Sequence, residues 1–236
     1  MATSANVIKP NVWLRLARVS NLPTVLSNSL VAMACTPFLW SEITIVYLVG
    51  SIILYVAGMI LNDAFDAEWD KVNQPFRPIP AGEVTRGYVF AVGFTLLTLG
   101  GIGHMLLAMY NYTWMGLVAT VWLPICIVSY NWHHKANPLS PLLMALCRSF
   151  LYVIPAAFLV DFEPTAYVLA VICLVYVSSL TLVAKLGYGR FIPFLIAGIS
   201  VMDAGFLVYL DQPSLALVAL VCAGATLRLQ VWVRGT

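Results

Sequence analysis

Charge is what this chain has least of. Only 9% of its 236 residues are Asp, Glu, Lys or Arg, against roughly 25% in an ordinary soluble domain. That shortage excludes a soluble globule, which needs polar side chains over most of its exterior. With 61% hydrophobic residues and a mean hydropathy of +0.92, lipid must solvate much of the surface. The same apolarity excludes disorder, and a net charge of +2 offers no basic face for nucleic acid. Thiolate metal chemistry is missing too. Cys35, Cys126, Cys147, Cys173 and Cys222 stand singly in apolar runs, without a CxxC pair or a Cys/His cluster, and read as small buried residues.

What the chain does have is a series of apolar runs of about 20 residues, enough to cross a ~30 Å hydrocarbon core as helix. Their spans are 22–40, 43–61, 86–108, 113–131, 141–160, 165–184, 191–210 and 214–232. The runs are continuously apolar and do not alternate as barrel strands do. The expected fold is therefore all-α, a polytopic transmembrane bundle of about eight spans in a single domain, 1–236. Lys9, Arg15 and Arg18 precede the first run, which is expected to stay in the membrane as its own insertion signal. Within the third run, Leu99-Gly100-Gly101-Ile102-Gly103 reads as close helix packing, since no strand precedes it as a nucleotide loop requires.

Basic residues set the topology. With eight spans, Lys9, Arg15, Arg18, Lys71, Arg77, Arg86, Lys135, Lys185, Arg190, Arg228 and Arg234 share one side. Glu42, Asp161, Glu163 and Asp211 occupy short turns on the other, near 41–42, 161–164 and 211–213, with a further turn at Met109–Tyr112. The expectation is an integral protein of the cell (inner) membrane with both termini cytoplasmic. Merging or splitting a span would scatter the charges over both faces.

The longest cytoplasmic connection, roughly 62–85, holds four of the ten carboxylates within nine residues. Carried on as helix, Asn62, Asp66 and Asp70 fall at i, i+4 and i+8, with Asp63 beside them. Such a face repels itself unless water, basic partners or a divalent cation neutralise it. Oxygen donors without His or Cys point to a hard ion, and Mg²⁺ fits best when substrate phosphates complete its shell. A solvated polar cap at a helix exit is the other reading of the carboxylates alone. The loop that follows, Lys71 to Gly82, is punctuated by Pro75, Pro78 and Pro80 and frames Arg77 stiffly a few residues away. Carboxylates for a metal and a fixed Arg for phosphate oxygens are the parts a diphosphate site needs.

These residues carry a family likeness. Asn62-Asp63-x-x-Asp66-x-x-x-Asp70 followed by Arg77-Pro78-Ile79-Pro80-Ala81-Gly82 resembles the first aspartate-rich motif and Arg-Pro loop of the UbiA superfamily of membrane prenyltransferases. Arg18-Val19-Ser20-Asn21-Leu22-Pro23-Thr24-Val25 resembles the entry to that family's first helix, and Tyr130 with Lys135 its fourth-helix end. The resemblance implies a bundle around a central cavity open to the cytoplasm. There Mg²⁺ bridges the aspartates to a polyprenyl diphosphate, diphosphate leaves, and the allylic cation alkylates a small aromatic or polyol acceptor. It gives Asn62, Asp63, Asp66 and Asp70 to the metal, with Asp66, Asp70 and Tyr130 catalytic. Arg18, Arg77, Lys135, Arg148, Lys185 and Arg190 would hold the diphosphate.

The chain departs from the family pattern in two respects. A second aspartate motif is expected after the sixth helix, and Leu182 to Arg190 contains no carboxylate, only Lys185 and Arg190. That leaves open a non-catalytic lipid-diphosphate binder, or an accessory for exporting a lipid-linked metabolite. The chain is also one helix short of the nine such a family leads one to expect. Two charges fall inside spans, where they mark function by default. Arg148 lies roughly 10 Å in from the cytoplasmic end, and Asp203 about 20 Å beyond Arg190. Either they pair to fix helices, or Arg148 serves the diphosphate and Asp203 a polar group of the acceptor; a transporter has only these two charges in its favour. His133 and His134 adjoin Lys135 and, as neighbours, point apart in a helix.

Overall fold

The computed structural model describes residues 10–111, 113–133, 135, 137–159 and 163–233, the side chains of 10, 11 and 133 excepted. Lys9, Tyr112, His134, Asp161, Arg234 and the His133 side chain lie outside the described residues. Nine α-helices occur among the described residues: α1 (Pro10–Leu16), α2 (Leu22–Ala34), α3 (Glu42–Asn73), α4 (Arg86–Tyr110), α5 (Trp114–His133), α6 (Ser140–Ala156), α7 (Pro164–Lys185), α8 (Ile192–Tyr209) and α9 (Pro213–Trp232). Each expected apolar run contains one of them, and short α1 is additional.

The runs do not all become full spans. Among the described residues six helical segments are long and apolar enough to cross a membrane, covering α3, α4, α5, α7, α8 and α9. The first and fifth runs give α2 and α6, with 13 and 17 residues. Helix α2 stops early because Thr36 Oγ1 donates to Met33 O at 2.8 Å and the chain turns through Pro37. Helix α3 errs the other way. Its 32 residues extend ~48 Å, well past a ~30 Å core, so its last three turns carry the carboxylates as continuous helix.

Proline marks the starts. Pro23, Pro141, Pro164, Pro193 and Pro213 occupy the first turns of α2, α6, α7, α8 and α9, where the missing N–H is no loss. At α7, Glu163 caps the helix by accepting from Thr165 N–H at 3.0 Å, and that hydrogen bond holds its carboxyl below the usual value.

Sequence neighbours pack as antiparallel pairs, most extensively α3 on α4, α6 on α7 and α8 on α9. Helix α2 closes the bundle, meeting α3, α6, α8 and α9. Its inward face is polar: Thr24, Ser27, Asn28 and Ser29 are all fully buried. By contrast α4 and α7 leave most of their apolar surface outside, as lipid-facing helices do.

Glycines let α3 and α4 approach. A Cβ on Gly100 would sit 2.7 Å from Leu54 Cγ and 3.2 Å from the Gly50 carbonyl, while one on Gly103 would meet nothing. The packing reading of that glycine run holds for Gly100. Gly100→Ala is expected to destabilise the protein by about 1–3 kcal/mol, through overpacking, and Gly103→Ala to leave it unchanged. Thermal unfolding in detergent checks this, and equal melting temperatures for both variants would contradict it.

Candidate diphosphate and cleft site

The carboxylate face of α3 forms as the spacing predicts, but inside the protein. Asn62, Asp63 and Asp66 are each 5% exposed and Asp70 is 0%. Glu68, on the opposite face, is in solvent and pairs with Lys71 at 2.8 Å and Arg86 at 3.5 Å. A solvated cap therefore describes Glu68 and not the other three.

Three cations from three other segments meet the buried acids. Arg18 Nη2 donates to Asn62 Oδ1 at 2.9 Å and to Asp63 Oδ1 at 3.1 Å. From the proline loop, Arg77 Nη1 reaches Asp63 Oδ1 at 3.2 Å and Asp70 Oδ2 at 3.0 Å. Lys135 Nζ lies 3.1 Å from Asp66 Oδ2 and 3.8 Å over the Trp69 ring. Of the three neutralisers the sequence permits, basic partners are present.

Local backbone makes these reaches possible. Arg18 has φ 44 and ψ 55, left-handed and unusual for a side chain with a Cβ. Its carbonyl accepts from Asn21 N–H at 3.0 Å and Tyr55 OH at 3.2 Å, which holds the turn. The Arg77 loop is closed by its own main chain, with Ala81 N to Arg77 O at 2.9 Å and Glu83 N to Pro78 O at 3.0 Å. Gly82, at φ 73, supplies the left-handed residue that this closure needs. Arg15 adds a clamp the sequence reading missed: it donates to Glu83 Oε1 at 2.8 Å and to Phe76 O at 2.7 Å.

Two clefts are joined through the Tyr55–Arg18 contact, Arg18 lining one and Tyr55 the other. The polar one lies between Arg15, Arg18, Asp63, Arg77 and Trp232 and encloses about 810 Å³ to its open mouth. On the membrane side a narrow apolar cleft runs between α2, α3, α5 and α6, past Leu54, Ile127, Met144 and Leu151; it measures about 550 Å³ out to its open mouth, of which about 60 Å³ is open to a water-sized molecule. Ser51, Tyr55, Tyr130, Asn131 and Arg148 are its polar lining residues. Tyr130 thus lies at the cleft wall. Asn131, which the sequence reading missed, joins the regions: Asn62 Nδ2 donates to its Oδ1 at 3.1 Å, and its Nδ2 to Gly58 O at 3.1 Å.

Arg148 and Asp203 do not touch. Arg148 donates to Thr24 Oγ1 at 2.7 Å and Asn28 Oδ1 at 2.8 Å, with its guanidinium 5.6 Å from the centre of the Tyr55 ring. Fully buried Asp203 accepts from Ser27 Oγ at 2.5 Å, from Asn28 Nδ2 at 2.8 Å and from Tyr152 OH. Asn28 bridges the two charges. The spacing Thr24-x-x-Ser27-Asn28, one helix face in an apolar run, was the available sequence signal. Neither Lys185 nor Arg190 is brought to the acids by any described contact. Lys185 Nζ donates to Asn137 O at 3.0 Å, and Arg190 lies 4.6 Å from the centre of the Phe191 ring.

The donor set suits a hard cation. Asp70 Oδ1 is buried without a hydrogen-bond partner, a carboxylate oxygen unspent by the cations around it. Among the described residues no three acidic, His or Cys side chains converge into a cage, so ligands from a phosphate substrate would have to complete the shell.

Comparison with known proteins places this geometry in context. Residues 21–186 match the model of the UbiA prenyltransferase family. Relatives called digeranylgeranylglyceryl phosphate synthase are 42% identical over 81 residues in Methanoregula boonei and 35% over 82 in Pyrococcus horikoshii. The matches take in 31% and 35% of this chain and 29% and 28% of those proteins, so they span under a third of the relatives' length. A solved structure described for the same synthase in membranes superposes with a TM-score of 0.63 over 94% of this chain and 87% of its own, at 16% identity, which shows a shared fold.

Removing Arg77 strands buried Asp70 and leaves Asp63 with Arg18 alone. Arg77→Gln is expected to lower stability by about 3 kcal/mol, and adding Asp70→Asn to recover part of that loss. Chemical or thermal unfolding of the two single variants and the double variant checks it; strict additivity would contradict the pairing.

Proposed function

The chain belongs to the UbiA prenyltransferase family, and from that premise we propose that it transfers an isoprenyl chain from a polyprenyl diphosphate to a small acceptor in the membrane. The reading is supported most by one observation: three buried carboxylates on one helix face, each matched to a cation that can also bind phosphate oxygen.

The diphosphate enters the polar cleft and its oxygens take up Arg18, Arg77 and Lys135. The acids those cations leave, with Asn62 Oδ1, would hold Mg²⁺, which would neutralise the charge developing on departing diphosphate. Asp70 Oδ1 is available from the start. The isoprenyl tail lies in the apolar cleft, where Tyr55 and Tyr130 offer ring faces to cationic charge and the aliphatic walls exclude water. Loss of a proton from the alkylated acceptor completes the transfer. The relatives' names favour a glycerophosphate lipid over an aromatic acceptor. The one-sided Lys and Arg distribution supports the polar cleft, and both termini, facing the cytoplasm.

A lipid-diphosphate binder is the second reading. It is favoured by the absence of carboxylates over 182–190 and by the engagement of Lys185 and Arg190 away from the acids.

Diphosphate release from geranylgeranyl diphosphate by the purified protein in lipid separates the two. With a glycerophosphate lipid acceptor, release should require Mg²⁺ and fall roughly a hundredfold or more in Asp66→Ala. Mg²⁺-dependent retention of the donor without release would favour the binder.

A further inference from the structure

Among the described residues Arg148 is the one charged side chain lining the apolar cleft, and no contact ties it to the carboxylate site. Both of its hydrogen-bond partners are neutral oxygens, on Thr24 and Asn28. Among the described residues no carboxylate approaches it within 4.0 Å, and Asp203 is already held by Ser27, Asn28 and Tyr152. A guanidinium has five N–H donors, so most of its hydrogen-bonding capacity remains. A cation placed among aliphatic walls is costly unless an anion joins it.

The residues behind it form a built support. Asn28 gives its carbonyl oxygen to Arg148 and its amide to Asp203, so the carboxylate fixes the amide's orientation. Ser200 hydroxyl, 2.8 Å from Ser27 Oγ, extends the buried network. Tyr55 partitions this site from the diphosphate site: its ring lies beneath Arg148 and its hydroxyl donates to the Arg18 carbonyl.

We propose that Arg148, carried on Thr24 and Asn28 and backed by Asp203, is a second oxyanion subsite that receives the phosphate monoester of the acceptor lipid. This rests on the prenyl-transfer reading for the acceptor's role, though not for its binding. With the monoester on Arg148 and the diphosphate beyond Tyr55, the acceptor hydroxyl and the allylic carbon meet in the same cleft. Recognition of this kind would exclude the dephosphorylated alcohol, because the buried guanidinium would then stay unpaired.

Two non-reacting probes test it on the full chain in nanodiscs: geranylgeranylglyceryl phosphate alone, and geranylgeranyl thiolodiphosphate with Mg²⁺. Arg148→Gln should weaken the monoester at least about tenfold, as loss of a charged hydrogen bond does, and leave the thiolodiphosphate affinity unchanged. Asp203→Asn should shift the monoester in the same direction with the thiolodiphosphate unmoved, a split that general unfolding would not produce. Should Arg148→Gln fail to fold, Arg148→Lys, which keeps the charge but cannot span Thr24 and Asn28, carries the same comparison. Failure of the wild-type protein to bind the monoester better than geranylgeranylglycerol overturns the subsite. So does loss of the thiolodiphosphate alone in Arg148→Gln. Monoester binding without thiolodiphosphate binding would support the subsite and overturn the diphosphate reading.

Discussion

Everything in this protein depends on keeping three carboxylates buried at one end of one helix. Asp63, Asp66 and Asp70 share a face of α3 without water to screen them, and like charges at that spacing repel. The remedy comes from elsewhere in the chain. Arg18 arrives from the turn before α2, Arg77 from the proline loop and Lys135 from beyond α5. A left-handed turn at Arg18 and a glycine-closed loop at Gly82 are the backbone conditions of that convergence. Paired in this way, the cations are structural counter-ions, and the proposed function makes them ligands for phosphate oxygen as well, so that a single exchange of partners would convert a resting site into a loaded one.

The bundle separates two solvents around that exchange. One cleft is lined by arginines and opens past Trp232; the other is aliphatic and runs between α2, α3, α5 and α6. Hydrogen bonds from Tyr55 to the Arg18 carbonyl and from Asn62 to Asn131 link the walls of the two. A molecule with a charged head and a hydrocarbon tail fits across that partition better than any wholly polar or wholly apolar one. Polar helix α2 holds the far wall, and its buried Thr24, Ser27 and Asn28 explain why so short a helix sits centrally: it satisfies hydrogen bonds inside the bundle instead of facing lipid.

Sequence made the all-helical membrane class legible because apolar length is a strong signal, and it located Asp66 and Asp70 because i, i+4 spacing fixes a face. Span length was less legible. Helix α2 ends where side-chain hydroxyls take over its terminal carbonyls, and α3 continues because its carboxylates are buried, neither of which hydropathy registers. Long-range partners were hidden most. Asn131 meets Asn62 across 69 residues and Asn28 meets Asp203 across 175; no local pattern announces either. The in-span charges Arg148 and Asp203 stood out at once, but that Asn28 intervenes between them follows only from the packing of α2 against α6 and α8.

The claim on which the rest stands is that diphosphate and metal bind this site together, the diphosphate taking the cations off the α3 acids and the metal taking the acids the cations leave. Its most direct test is Mn²⁺ binding followed by electron paramagnetic resonance, with and without geranylgeranyl thiolodiphosphate. Coupling of binding free energies is reciprocal, so the thiolodiphosphate should tighten Mn²⁺ binding by the same factor as Mn²⁺ tightens thiolodiphosphate binding, and Asp70→Asn should diminish both. Equal thiolodiphosphate affinity in Mn²⁺ and in excess chelator would contradict it.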